Sequence, residues 1–187
     1  VPGPYSYFSG FDVVGVQHLL QKEMASAALV AAAASTLSAS ESSDVYVALG
    51  LLSAAGAAEK SNAAQYRARR TKLRQDAQRF ECFSRTRQCA LRFVLAGART
   101  RSNAPVLAEA HREAAEHGDM LLINTTEGRF TCSRKYLLWL QQAPALFPSA
   151  EYIGIGDDDI YIQLDHFVAD LRSIRKDPQA SRHIFWG

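Results

Sequence analysis

The sequence predicts an α/β domain with a mostly parallel sheet and flanking helices. Three observations carry this. From residue 45 onward, apolar runs and helix-patterned segments alternate as strand, helix, strand, helix, strand, helix, strand, an order that builds a parallel sheet. The chain is 48% apolar and 21% charged, close to the globular average. Its 187 residues suit one domain, or one and a fragment. The 21 basic and 19 acidic residues leave a net charge of +2. That balance gives no general attraction to nucleic acid or to an acidic membrane, so no nucleic-acid partner is expected.

Each element has its own signal. Val45-Tyr46-Val47-Ala48-Leu49 reads as a short buried strand. Residues 60–79 read as a basic helix, and Ala90 to Leu95 as a second strand closed by Ala96-Gly97. Residues 104–117 place Val106, Leu107, Ala110 and Ala114 at helical spacing, and Gly118 suits the C-cap. Met120 to Ile123 is the third strand. Ser133 to about Ala143 is a helix with Tyr136, Leu137, Leu140 and Ala143 as its buried stripe. Pro144, or at the latest Pro148, stops it. Tyr152 to Gly156 is the fourth strand. Three aspartates follow, then alternating Ile160-Tyr161-Ile162, then a helix from near Gln163 to about Arg175. His183 to Trp186 reads as one more strand.

Residues 1–44 differ in character. Residues 1–12 are rich in Pro, Gly and Tyr, and Val14 to Leu37 are helix formers. Ser38 to Asp44 is a polar break, the best linker candidate in the chain. The apolar window Met24 to Leu37 is shorter than the roughly 20 residues a membrane span needs. Val1 at the start and Phe185-Trp186-Gly187 at the end suggest a piece of a longer protein. Cys82, Cys89 and Cys132 are too few and too odd in number for a closed disulfide framework. Cys82 and Cys89 could pair in an oxidising compartment. Composition alone slightly favours three free thiols.

The most informative cluster is Asp157-Asp158-Asp159. Adjacent carboxylates repel, and the apolar strand before them puts them at its carboxyl end, where open α/β sheets bind ligands. Hard oxygens there suit Mg²⁺ or Mn²⁺ bridging to a diphosphate. In an extended Asp-x-Asp the first and third side chains share a side, so Asp157 and Asp159 could reach one ion. The competing reading is a solvated acidic turn that caps the next helix. The second cluster is Arg67, Arg69, Arg70, Lys72 and Arg74. Arg70 and Arg74 share a helix face and could fork onto phosphate, or simply form a solvated basic face. Gly154-Ile155-Gly156 lacks the third glycine of a dinucleotide fingerprint, and neither a P-loop nor a GxSxG elbow occurs. Asn124-Thr125-Thr126 fits an N-glycosylation sequon. His166 reads as structural, and Trp139 and Trp186 as core.

Together, LRFVLAG (91–97), EAHREAAEHGDMLLINTTEGRF (109–130) and SRKYLLWLQQAPALFPSAEYIGIGDDDIYIQ (133–163) resemble the β-1,3-galactosyltransferases of glycosyltransferase family 31. Gly97, Glu113, His117-Gly118-Asp119-Met120, Glu127, Lys135, Trp139, Tyr152 and Asp157 to Asp159 stand in the family's order. Arg70-Thr71-Lys72-Leu73-Arg74 looks like its Arg-x-x-Ile-Arg step. The resemblance covers about residues 45–187. It implies the nucleotide-sugar-binding half of a GT-A, Rossmann-like glycosyltransferase domain, incomplete here. Residues 1–44 would be a rearranged segment or part of a preceding copy, since Gly3 to Phe11 loosely resembles a segment that normally follows the DDD.

The resemblance further implies a metal-dependent inverting hexosyltransferase of protein glycosylation. It would move galactose or an N-acetylhexosamine from a UDP-sugar to a hydroxyl of a glycan or glycoprotein acceptor. Mn²⁺ or Mg²⁺ would be held by Asp157 and Asp159, above all by Asp159. Asp157, Asp158, Arg70, Arg74 and Lys135 would contact the donor. The catalytic base is not among the residues identified, because the family's second half, which supplies it, does not follow. Two departures stand out. Gln75-Asp76-Ala77 replaces the usual Thr-Trp, and Ile155 replaces a lysine two places before the DDD. The resemblance implies the lumenal side of the Golgi or endoplasmic reticulum membrane, with an anchor outside these residues. The alternatives are a non-catalytic α/β module that binds nucleotide or a partner on a degenerate glycosyltransferase fold and, more weakly, a carboxylate-metal hydrolase.

Overall fold

Four strands, β1 (Val47–Leu52), β2 (Cys89–Ala96), β3 (Met120–Ile123) and β4 (Tyr152–Asp157), form one all-parallel sheet in the order β3-β2-β1-β4. The helices are α1 (Ala63–Ala77), α2 (Glu81–Ser84), α3 (Ala104–His117), α4 (Thr131–Leu146) and α5 (Leu164–Lys176). The structure, a computed structural model, describes residues 45–56, 62–100, 103–128 and 131–176. The expected segment 1–44, with its helix over Val14 to Leu37, and the expected strand His183 to Trp186 lie outside the described residues.

Burial explains why these stretches are strands. Every residue of β1 is buried, as expected for the inner strand of a parallel sheet covered on both faces. One face carries Val47, Leu49 and Leu51, which join Phe93, Leu95, Ala110, Val168 and Leu171 in a single core. On the other face Trp139 of α4 is fully buried against Gly50, where a Cβ would fall 2.5 Å from the indole. The indole Nε1 donates to the Gly154 carbonyl at 2.9 Å, so the ring buries its area and satisfies its polar atom.

The structure moves three boundaries or faces. β1 starts and ends later than expected and reaches Leu52, because its ladder with β2 and β4 continues through that residue. α4 runs past Pro144 to Leu146; a proline in the last turn forfeits one hydrogen bond without stopping the helix. Its inner face is Lys135, Leu138, Trp139, Ala143 and Leu146, while Leu137 and Leu140 are exposed and Tyr136 half-buried. The expected stripe is rotated because it is drawn from uncharged residues alone and leaves out Lys135. The ammonium is in fact buried and paired, and the helix turns to place it there. α3 and β3 match expectation, with Gly118 at φ 67° closing α3 in the left-handed C-cap.

The free-thiol preference for all three cysteines is corrected. Cys82 of α2 and Cys89, the first residue of β2, form a disulfide with Cα atoms 5.2 Å apart. That distance lies inside the usual range. Arg87, at φ 52°, bends the chain back so that the two meet. Cys132 is free and exposed.

Candidate functional site

The sheet order reverses at β1: β2 and β3 lie on one side of it and β4 on the other. In open parallel sheets the crevice at the carboxyl ends of such a strand pair is the ligand site. Here β1 runs out as Leu52-Ser53-Ala54 and β4 as Asp157-Asp158-Asp159, and both line an open cleft of about 720 Å³. Tyr66 and Arg69 of α1, Glu127 of the loop after β3, and Lys135 of α4 form further wall.

The three aspartates are not equivalent. Asp157 still pairs with Leu52 in the ladder, and the Asp158 amide donates to the Leu52 carbonyl at 3.0 Å. The turn then sends Asp158 into the wall, where it is 6% exposed. Its Oδ2 accepts from Ser53 Oγ at 2.6 Å and its Oδ1 from Arg69 Nη1 at 3.2 Å. Asp157 and Asp159 stay exposed. Asp157 Oδ1 accepts from the Tyr136 hydroxyl at 3.2 Å. Burial and then the Asp157 charge push the Tyr136 phenol above its ordinary value. Asp159 lies 3.9 Å from Arg69, too far for more than a loose ion pair.

Lys135 reaches the cleft, but its ammonium is engaged. It donates to the Ser53 carbonyl at 2.8 Å and to the Glu127 carboxylate at 3.1 Å. Glu127 in turn accepts from the Ala96 amide at 3.3 Å.

Arg70 and Arg74 stand apart from the cleft lining. Arg70 is 2% exposed; its Nε and Nη2 fork onto Glu113 at 2.9 and 2.6 Å. Its Nη1 donates to Ser53 Oγ at 2.9 Å and to the Ala54 carbonyl at 2.8 Å. Arg74 forks onto Asp119 at 2.7 and 2.8 Å and donates to Glu113 at 2.7 Å. Both guanidiniums are engaged by carboxylates, Arg70 by Glu113 of α3 and Arg74 by Glu113 and by Asp119, the residue before β3. They form a block beneath the cleft rather than arms reaching into it. Burial alone would raise the Glu113 carboxyl, but hydrogen bonds from Arg70 and Arg74 outweigh it and hold its pKa below the usual range.

Two cleft residues escape the sequence reading. Ser53 lies beyond the expected end of β1 at Leu49. Arg69 belongs to the basic run, yet the (i, i+4) rule selects Arg70 and Arg74. A strand end placed at Leu52 would have put Ser53 opposite the aspartates. Among the described residues no three His, Cys, Asp or Glu side chains converge as a preformed metal cage. The chain turns at Asp158 and Asp159 instead of continuing extended, so the shared side expected of an extended Asp-x-Asp does not hold. Asp157 and Asp159 are the exposed carboxylates of that turn, the ones that could hold a hard cation of the Mg²⁺ or Mn²⁺ kind, which takes one or two carboxylates and fills its shell with water and substrate phosphate. No helix among the described residues is long and apolar enough to cross a membrane.

Fold and cleft thus define an α/β domain with an open cleft at a topological switch point, beside the acidic end of β4. Comparison with known proteins narrows this. The family model described as Galactosyltransferase matches residues 68–185, and the chain belongs to that family. It is 31% identical over 85 residues to the N-acetyllactosaminide beta-1,3-N-acetylglucosaminyltransferase 2 of Mus musculus and 29% identical over 85 residues to that of Homo sapiens. In each case the match covers 45% of this chain and 21% of the relative. The matching part therefore spans about a fifth of the curated relatives' length. Ser53 and β1 fall before the family match begins.

Proposed function

We propose that the cleft holds the diphosphate of a UDP-sugar through a divalent cation, and that the whole protein is an inverting hexosyltransferase. It transfers galactose or an N-acetylhexosamine to a hydroxyl of a glycan or glycoprotein acceptor. The observation that carries this is the split of the acidic turn: Asp157 and Asp159 stand exposed at the switch point, while Asp158 is buried in the wall. The relatives' printed names, which are those of an N-acetylglucosaminyl-transferring enzyme, support the sugar class.

Asp157 and Asp159 would hold Mn²⁺ or Mg²⁺. The cation would neutralise charge on the departing diphosphate. Asp157 is steadied by the Tyr136 hydroxyl. Arg69 supplies positive charge at the rim, and Asp158 and Lys135 support the donor from the wall through the bonds they make there. Arg70 and Arg74 act beneath it. The acceptor hydroxyl needs a general base, and none is assigned among these residues.

Calorimetry with UDP, with and without Mn²⁺, tests the reading. Binding that requires the cation and is lost in Asp159→Ala is expected. UDP binding indifferent to Mn²⁺, or no binding at all, overturns it. Ile155 in place of a lysine favours one other reading, a domain that binds nucleotide without transferring sugar. Cation-dependent UDP binding by the whole protein, with no transfer to any acceptor, would decide for it.

The Cys82–Cys89 disulfide supports a lumenal Golgi or endoplasmic reticulum location, with an anchor elsewhere in the protein. So does the sequon, whose Asn124 is exposed on the loop after β3. Secretory expression is expected to give a glycosidase-sensitive mass that Asn124→Gln abolishes; a protein unshifted by glycosidase counts against the location.

A further inference from the structure

Ser53 is the point where the sheet, the buried cations and the acidic turn meet. Its amide donates to Val94 O at 3.0 Å, which extends the β1–β2 ladder by one bond. Its carbonyl accepts from Lys135 Nζ at 2.8 Å. Its hydroxyl accepts from Arg70 Nη1 at 2.9 Å and donates to Asp158 Oδ2 at 2.6 Å. The direction of these bonds is forced. A guanidinium has only hydrogens to give, so the single hydroxyl proton must go to the carboxylate. Ser53 is 4% exposed and Asp158 6%, so water cannot substitute freely at either. The Arg70 guanidinium that fixes the hydroxyl is itself clamped by Glu113 through two bonds.

We propose that Ser53 is a positioning residue for the cleft. Together with Arg69, whose Nη1 donates to the other oxygen of Asp158 at 3.2 Å, it holds Asp158 in the wall and sets the rotation of the acidic turn, so that the carboxylates on either side, Asp157 and Asp159, face the ligand. An untethered Asp158 would present a third negative charge to an anionic diphosphate and let the turn swivel. The arrangement is a relay from Glu113 through Arg70 and Ser53 to Asp158. It gives a role to an arginine that does not itself line the cleft. The consequence for ligand binding rests on the cation–diphosphate reading above; the tethering of the turn does not.

Amide hydrogen exchange on the full chain tests the tether without any ligand. In Ser53→Ala, exchange at Asp158 to Ile160 is expected to rise about tenfold, the size of one lost hydrogen bond to a charged acceptor, while β3 stays as in the wild type. Ser53→Thr, which keeps the hydroxyl, is expected to restore the slow exchange. Should threonine prove too bulky, Asp158→Ala supplies the second arm: adding Ser53→Ala to it is expected to speed the turn no further, because the bond is already gone. Unchanged exchange at the turn in Ser53→Ala overturns the proposal. So does a uniform rise across the sheet, which would make Ser53 a general stability residue, or full additivity of the two alanine changes. Calorimetry with UDP and Mn²⁺ then reads the consequence. Weaker binding in Ser53→Ala, with Asp159→Ala abolishing it, is expected. Wild-type affinity in Ser53→Ala despite a loosened turn overturns the positioning role. A wild-type chain that binds no UDP sinks the proposed function, and the exchange result still decides the tether.

Discussion

The block beneath the cleft and the rim above it are built from the same residue types and behave as opposites. In the block, Arg70 and Arg74 meet Glu113 and Asp119 through bonds of 2.6 to 2.9 Å, and the Arg70 and Glu113 side chains are each 2% exposed. At the rim, Arg69 and Asp159 lie 3.9 Å apart with side chains 35% and 61% exposed. Charges that satisfy each other out of reach of water serve the fold. Charges left open at the end of a strand are the ones a ligand can still use. Lys135 sits between these cases, since its ammonium is buried but its partner Glu127 is 29% exposed.

Breaking the block gives the largest expected effect. Glu113→Ala leaves the buried Arg70 guanidinium without its carboxylate and Arg74 with Asp119 alone, and should cost about 3–5 kcal/mol in denaturant unfolding, the usual toll for removing one partner of a buried pair. A loss below about 1 kcal/mol would mean that the block is no tighter than the rim. The same carboxylate should set an acid limb. Its native pKa lies below its ordinary 4.5, so the unfolded chain binds more protons in that window. Glu113 therefore contributes stability that is complete above its ordinary value and is lost as pH falls through its lower native value. Melting temperature followed downward through that range should fall more steeply in the wild type than in Glu113→Gln. Parallel curves would show that the carboxylate is not held as its bonds imply.

Lys135→Met measures the intermediate case. The methionine keeps most of the buried volume, and Glu127 can take up water once its partner goes. About 1–2 kcal/mol is expected, between block and rim. A loss as large as that of Glu113→Ala would place Lys135 in the block and remove the gradation.

This gradation by burial is also what the sequence does and does not reveal. Local patterns place the elements well. Pro105 in the first turn and Gly118 at the cap bracket α3, and the run of apolar residues and glycine before the aspartates marks β4. The position of Asp157 to Asp159 at a sheet crevice follows from the strand alone. What is not legible is which charge finds which partner. Arg70 and Glu113 are 43 residues apart, and Ser53 and Asp158 are 105 apart. No periodicity reports such pairs. For the same reason a buried Lys135 is indistinguishable by type from a solvated one, and the α4 stripe comes out rotated. Cys82 and Cys89 pair because a backbone bend at Arg87 brings them together, which their spacing alone leaves open.

The smallest expected effect on folding falls where the functional effect should be greatest. Asp159→Asn removes a charge that is mostly in water and whose ion pair spans 3.9 Å. Pairs of that kind are worth about 0–1 kcal/mol, so unfolding should shift by no more than about 0.5 kcal/mol. The sign can even be favourable. Asp157 and Asp158 lie on the same turn, and removing one of three neighbouring negative charges relieves their mutual repulsion. A fold that loses nothing when a carboxylate is neutralised does not depend on that carboxylate for stability, which is what the proposed cation site requires of Asp159. A loss of about 2 kcal/mol or more in Asp159→Asn would reverse the assignment. The rim would then be a second structural block, and the exposed aspartate would owe its place to the fold.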